Sequence, residues 1–212
     1  MLSPGTYISI EGPIGIGKTS LAKIIADELD ARLVLEESLE NPFLPDFYRD
    51  PHRFALQVQL NFLLLRHRQQ SELKQLNLFN QNVVTDYIFE KDRIFACLNL
   101  EDRELELYNR VLELLEVDIP TPDMVIYLQS SPERLLTNIR IRDIDYERYI
   151  SLDYLRNLCE MYSQFFFHWQ KSPLLIVNAT QMDFVNNNRH RQLLIEVVQE
   201  MPAGTTYFNP ES

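Results

Sequence analysis

The chain has 212 residues, enough for one domain with a sizeable core, and its 45% hydrophobic and 11% aromatic content is that of a globular protein. A formal charge of −11 argues against an extended DNA or RNA groove, which depends on basic surface and released counterions. No apolar stretch approaches membrane-spanning length and no leader segment is visible, so a soluble, cytoplasmic protein with no membrane partner is expected.

In chain order, an apolar strand at Tyr7–Ile10 is followed by Gly12-Pro13-Ile14-Gly15-Ile16-Gly17-Lys18-Thr19, a complete GxxxxGK[ST] loop, and by Ser20. Helical spacing resumes at once over 18–29, with Leu21, Ala22, Ile24 and Ile25 on repeat. That strand–loop–helix context is what the motif requires. Glycines let successive backbone N–H groups turn onto a polyphosphate at a helix N-terminus, where the helix dipole favours anions. Lys18 adds a charge for the outer phosphates and Thr19 a hydroxyl for Mg²⁺. The loop implies a bound nucleoside triphosphate.

A second strand, Leu33–Leu35, ends at Glu36-Glu37. After Asn41-Pro42-Phe43-Leu44-Pro45-Asp46-Phe47-Tyr48 comes a helix over 52–71 in which Ala55, Gln59, Phe62 and Arg66 share a face. An amide and a guanidinium flanking an aromatic ring suit a flat heterocycle. They also suit the polar border of an amphipathic helix, and periodicity alone favours that second reading. The third strand, Val83–Thr85, closes on Asp86. One strand-end acid is as readily a solvated cap as a ligand; two on the edge that carries the loop point to chemistry. Asp86 suits the Mg²⁺ role, and Glu36 or Glu37 the base that orients an acceptor hydroxyl.

Helices are expected over 90–97, 101–117, 131–141, 151–170 and 189–200, with strands at Val125–Leu128 and Leu174–Val177 and a loose tail over 203–212. Cys97 and Cys159 read as buried thiols in a reducing compartment, and the four histidines lack metal-ligand spacing. Five strands alternating with helices, most of them continuously apolar, predict a single α/β domain with a parallel sheet flanked by helices. Ligands then collect at the C-terminal strand ends.

These residues resemble the deoxynucleoside kinase family, the deoxycytidine, deoxyguanosine and deoxyadenosine kinases, over nearly the whole chain. The likeness rests on the P-loop, a Glu-led segment before Asn-Pro-Phe-Leu, and a Phe-Tyr eleven residues before a helical Gln. It continues with an acid six residues before Asp-Arg-x-Phe-Ala and an Arg-rich segment entering a helix. The resemblance implies a P-loop kinase fold and an enzyme that uses ATP and Mg²⁺ to phosphorylate the 5′-hydroxyl of a deoxynucleoside, as a homodimer; the Arg66–Asp92 combination resembles members that accept purines or cytosine, and a purine preference is expected. By the same likeness Glu36 is the general base, with Glu37 the one-residue alternative. Tyr48 and Glu147 hold the sugar 3′-hydroxyl; Gln59, Phe62 and the Arg66–Asp92 pair hold the base. Arg140 and Arg142 are the arginines of a lid over about 140–150. Asp183-Phe184 is the loop at the adenine of ATP.

Two positions depart from the family pattern. Tyr87 stands where an arginine usually follows the third-strand acid, and Arg142-Asp143-Ile144 stands where the lid usually has a further arginine. Either another cation substitutes or turnover is slow. The competing readings are a thymidylate-like nucleoside monophosphate kinase and an ATP-binding regulatory module without efficient chemistry.

Overall fold

The computed structural model describes residues 3–77, 81–180 and 182–209. Its strands are β1 (Tyr7–Glu11), β2 (Arg32–Val34), β3 (Val83–Thr85), β4 (Met124–Gln129), β5 (Leu174–Asn178) and β6 (Thr205–Phe208). They form one sheet, parallel throughout, in the order β2-β3-β1-β4-β5-β6. The helices are α1 (Lys18–Glu28), α2 (Leu44–Arg49), α3 (Pro51–Asn77), α4 (Lys91–Asn99), α5 (Asp102–Leu115), α6 (Pro132–Arg142), α7 (Leu152–Phe167) and α8 (Asn188–Glu200).

The central strands β1, β3, β4 and β5 are buried over nearly their whole length and mostly apolar, because both of their faces are covered. Alternate residues go to opposite sides. Ile126 and Leu128 of β4, with Leu175 and Val177 of β5, pack on Ala22, Leu135 and Leu194 of α1, α6 and α8. Their neighbours Val125, Tyr127, Leu174 and Ile176 pack on Ile94 of α4 and on Leu158, Tyr162 and Phe166 of α7.

The sheet has six strands rather than the expected five. Thr205–Phe208, expected as part of a loose tail, lies parallel to β5, with Leu174 opposite Thr205 and Val177 opposite Phe208. Residues 210–212 of that tail lie outside the described residues. As an edge strand β6 shows period-2 burial instead of a continuous apolar run. The cysteines also differ from expectation: Cys97 is exposed and Cys159 half-buried. Cys97 lies on the outer side of α4, whose buried positions include Ile94 and Ala96. Burial pushes the Cys159 thiol up to about 11, which leaves it inert.

This topology fixes the site. The chain runs outward from β1 to β2, returns to β3, and crosses to β4 on the other side of β1. The crevice at the C-terminal end of β1 is therefore the switch point where open α/β sheets take ligands. The P-loop leaves that strand end, Asp86 leaves β3, and Glu36 follows β2. Helices α2 and α3 close the crevice from above: Leu44 and Phe47 pack on Ala55 and Val58, with Tyr146 against the same cluster.

Candidate active site

The loop after β1 is closely built. Gly12, Gly15 and Gly17 all have positive φ. A Cβ on Gly12 would lie 2.7 Å from the Leu128 carbonyl, and one on Gly15 2.7 Å from Ile139 Cγ1. Only glycine fits there without the backbone moving. Gly17 caps α1 without any side-chain bond, and the first turn has no acid, so its N–H groups remain open to an anion. Lys18 Nζ donates to the carbonyls of Gly12 (2.7 Å) and Pro13 (3.1 Å). Burial, then the like charge of Lys91, pushes its ammonium down to about 8.

Thr19 Oγ1 donates to Asp86 Oδ2 at 2.6 Å, and the Glu36 backbone N–H to Asp86 Oδ1 at 2.7 Å. A hydroxyl and a carboxylate side by side at the mouth of the loop are hard oxygen donors that fit Mg²⁺ on a triphosphate. Beneath them, the fully buried Glu11 accepts from the Gly12 N–H (2.9 Å), the Ile88 N–H (3.0 Å) and the Tyr162 hydroxyl (2.8 Å). It clamps the loop entry to the segment after β3. Its position just before the motif is the only sequence signal for that role.

From the loop a cavity of about 280 Å³ runs along α3, near the lower bound of small-molecule pockets, ~300–1,000 Å³. Lys18, Thr19, Asp86, Glu36 and Lys91 line one end; Tyr48, Gln59, Phe62 and Arg66 line the other. The two ends are joined by charge. Arg66 Nε donates to Glu36 Oε1 at 2.9 Å, and its terminal nitrogens pair with Glu36 and Asp92. Lys91 Nζ donates to Glu36 Oε2 at 2.8 Å. Burial alone would raise the Glu36 carboxyl, but Arg66 and Lys91 overcome it and hold the group well below the usual carboxylate range. For Asp92 burial prevails over Arg66, and its carboxyl is pushed up to about 7. The Arg66 guanidinium lies over the Phe62 ring, 4.9 Å from its centroid. Behind Arg66, Asp92 Oδ2 is buried without a partner among the described residues, and in the cavity wall Gln59 Oε1 is too. An orphaned buried acceptor in a cavity wall is a place where a ligand donor belongs.

The far wall is the segment after α6. Asp143 takes a left-handed conformation and turns the chain into a short 3-10 segment, Asp145–Tyr149. There Glu147 receives Arg142 in a bidentate pair (Nε to Oε2 3.0 Å, Nη2 to Oε1 2.6 Å). Tyr146 stacks on Tyr48 with ring centroids 5.8 Å apart.

The structure thus gathers Lys18, Thr19, Asp86, Glu36, Tyr48, Gln59, Phe62, Arg66, Arg142 and Glu147 around one cavity. Three expectations are corrected. Glu37 turns outward to Arg68 and is no part of the cavity. Asp92 stands behind Arg66 and does not reach the cavity wall. Arg140 is exposed and borders a separate surface recess. Phe184 is a core residue whose ring lies against the loop, 3.2 Å from where a Cβ on Gly17 would stand. Sequence reasoning misses Lys91, because it lies just outside the motifs that carry the resemblance.

A family model, deoxynucleoside kinase, matches residues 8–202. The chain belongs to the deoxynucleoside kinase family. It is 31% identical over 205 residues to deoxyguanosine kinase of Bacillus subtilis, covering 94% of this chain and 99% of that one. It is 37% identical over 166 residues to deoxyadenosine kinase of Dictyostelium discoideum, covering 76% of this chain and 66% of that protein. Deoxyadenosine kinase from M. mycoides with bound dATP shares its fold, with a TM-score of 0.80, 23% identity, and 92% of this chain and 99% of that one covered. As a deoxynucleoside kinase, the chain is an enzyme that phosphorylates a deoxynucleoside with ATP and Mg²⁺. No helix among the described residues is long and apolar enough to cross a membrane.

Proposed function

We propose that the enzyme transfers phosphate to the 5′-hydroxyl of a purine deoxynucleoside lying between Glu36 and the Tyr48–Gln59–Arg66 wall. The observation that carries this reading is the continuity of the cavity from the Lys18 loop, past Glu36, to the orphaned amide of Gln59. Bound ATP with Mg²⁺ supplies the phosphoryl group. Thr19 and Asp86 hold the metal, the open N-terminus of α1 and Lys18 hold the phosphates, and the Asp183-Phe184 backbone borders the donor base. Glu36 accepts the proton of the 5′-hydroxyl. Tyr48 and Glu147 bond the sugar 3′-hydroxyl. Gln59 takes the base edge with one donor and one acceptor, an arrangement that serves adenine and guanine alike. Arg66, oriented by Asp92 from behind, donates to the purine imidazole side. Within the segment over about 140–150, Arg142 alone of the two arginines lines the cavity, so the lid role falls to it.

Initial rates with MgATP and each of the four deoxynucleosides test the substrate class. Deoxyadenosine and deoxyguanosine are expected to be turned over fastest, and deoxyadenosine to be accepted in preference to its monophosphate. Thymidine turned over fastest overturns the assignment.

A homodimer and a cytoplasmic location belong to the same reading. Leu64 on α3 and Leu107 and Leu114 on α5 are exposed on two helices that pack together, an apolar surface suited to a second copy. Sedimentation of the purified enzyme is expected to give twice the chain mass; a monomer at micromolar concentration refutes this.

A further inference from the structure

Lys91 is an anomaly in the site. It opens α4, is 4% exposed, and lines the cavity beside Lys18 and Glu36. A buried ammonium is costly unless all its donors are met. Among the described residues Lys91 makes one hydrogen bond, to Glu36 Oε2, while its charge also faces the Phe95 ring, 5.7 Å from the centroid. An ammonium has three donors. Two of them therefore stay unassigned at the phosphate end of the cavity.

Lys91 is the second buried cation on Glu36, whose other oxygen Arg66 already binds. The other donors of Lys91 lie beside Lys18, at the end of the cavity where phosphoryl charge arrives. Tyr87 cannot supply a cation there: its ring is fully buried and a phenol carries no positive charge.

We propose that Lys91 is a catalytic cation, which binds the phosphoryl oxygens during transfer and exchanges its tie to Glu36 for them. The proposal rests on the placement of the 5′-hydroxyl at Glu36 given above. As the O5′–Pγ bond forms, the bond from Pγ to the ADP oxygen breaks and the hydroxyl proton passes to Glu36. Lys91 transfers no proton in this step. Its release from Glu36 as the phosphoryl group arrives frees a carboxylate oxygen at the moment a proton must be accepted. The charge is most valuable in the transition state, where it meets developing charge in a water-poor site.

Lys91→Met and Lys91→Gln test this; the Gln variant keeps a donor towards Glu36 but removes the charge. With deoxyadenosine as acceptor, kcat is expected to fall on the order of 10²–10³-fold in both, with the deoxyadenosine Kd changed by no more than about threefold. Binding of MgADP with aluminium fluoride and deoxyadenosine, a mimic of the transferring group, should weaken in step with kcat. Lys91→Arg should recover at least about a tenth of the wild-type kcat, since it restores the charge. A loss confined to deoxyadenosine binding or to the unfolding temperature, with kcat within about threefold, overturns the proposal and leaves Lys91 a structural counter-ion. Should the Met and Gln variants both fail to fold, a Lys91→Arg enzyme with wild-type stability but no affinity for the aluminium fluoride complex overturns it equally. Full turnover in Glu36→Gln alongside a large kcat loss in Lys91→Met would remove the assigned base and leave the cation.

Discussion

Glu36→Gln is expected to lower kcat about 10²-fold while changing deoxyadenosine affinity no more than severalfold. A lost general base costs ~10²–10⁴-fold. Phosphoryl transfer through a loose transition state asks little proton removal of the nucleophile before the phosphorus–oxygen bond has weakened, which places this case at the lower end. The structure adds a second reason. Arg66 and Lys91 hold the carboxylate far below its usual range, so it is always ionised but weakly basic until one cation lets go. Its work is to orient the hydroxyl first and to take the proton late. The amide of the variant keeps the shape and one acceptor, so the acceptor pocket persists; an unfolding curve reads any cost of leaving one cation facing an amide. Glu37→Gln is the control. Glu37 is bound to exposed Arg68 outside the cavity, and its loss should leave kcat within about twofold. Were Glu37→Gln the slow enzyme and Glu36→Gln the normal one, the base would be misassigned.

Why one of two adjacent glutamates enters the site shows how far the sequence is legible. The motif says that an acid follows β2, but consecutive residues of an extended chain point to opposite sides, and a shift by one exchanges them. Composition cannot fix that register; the Glu36 N–H bonded to Asp86 does. Arg140 and Arg142 pose the helical version. Two residues apart on α6 they lie about 200° apart around the axis, so they cannot both face one cavity. The loop, β1, β4 and β5 are readable because local signals and burial agree there. Helix α2 is hidden by Pro45, which is tolerated only because it lies in the first turn. The spacing ends α3 at 71, yet the helix runs to Asn77: Ser71 bonds the His67 carbonyl four residues back, within the helix, instead of breaking it. Lys91 is unreadable for a different reason. Nothing in a charged triplet at a helix start says that the helix points into a cavity.

Arg66→Met is expected to destabilise the fold by about 3 kcal/mol near neutral pH and to lower kcat/KM for purine deoxynucleosides roughly 10²-fold. Removing one partner of a buried ion pair costs ~3–5 kcal/mol because the other charge is stranded. Here two carboxylates lose a partner, but unequally. Glu36 keeps Lys91, whereas Asp92 is fully buried and has no other cation bonded to it among the described residues. Asp92 has an escape, protonation, since its carboxyl already sits near 7 with Arg66 present and rises further without it. The sign follows. A carboxyl whose folded pKa lies above its unfolded value stabilises the fold at low pH, and that contribution is lost as pH rises through the folded pKa. In the wild type the loss ends near pH 7; in Arg66→Met it continues above that. The stability gap between the two proteins should therefore be smaller at pH 6 than at pH 8.5 in urea unfolding. Adding Asp92→Asn, which cannot ionise, should close most of the gap at pH 8.5 without restoring turnover, because the base edge still lacks its guanidinium. A gap equal at both pH values, or untouched by the second substitution, would mean that Arg66 is held by something other than the buried carboxyl behind it.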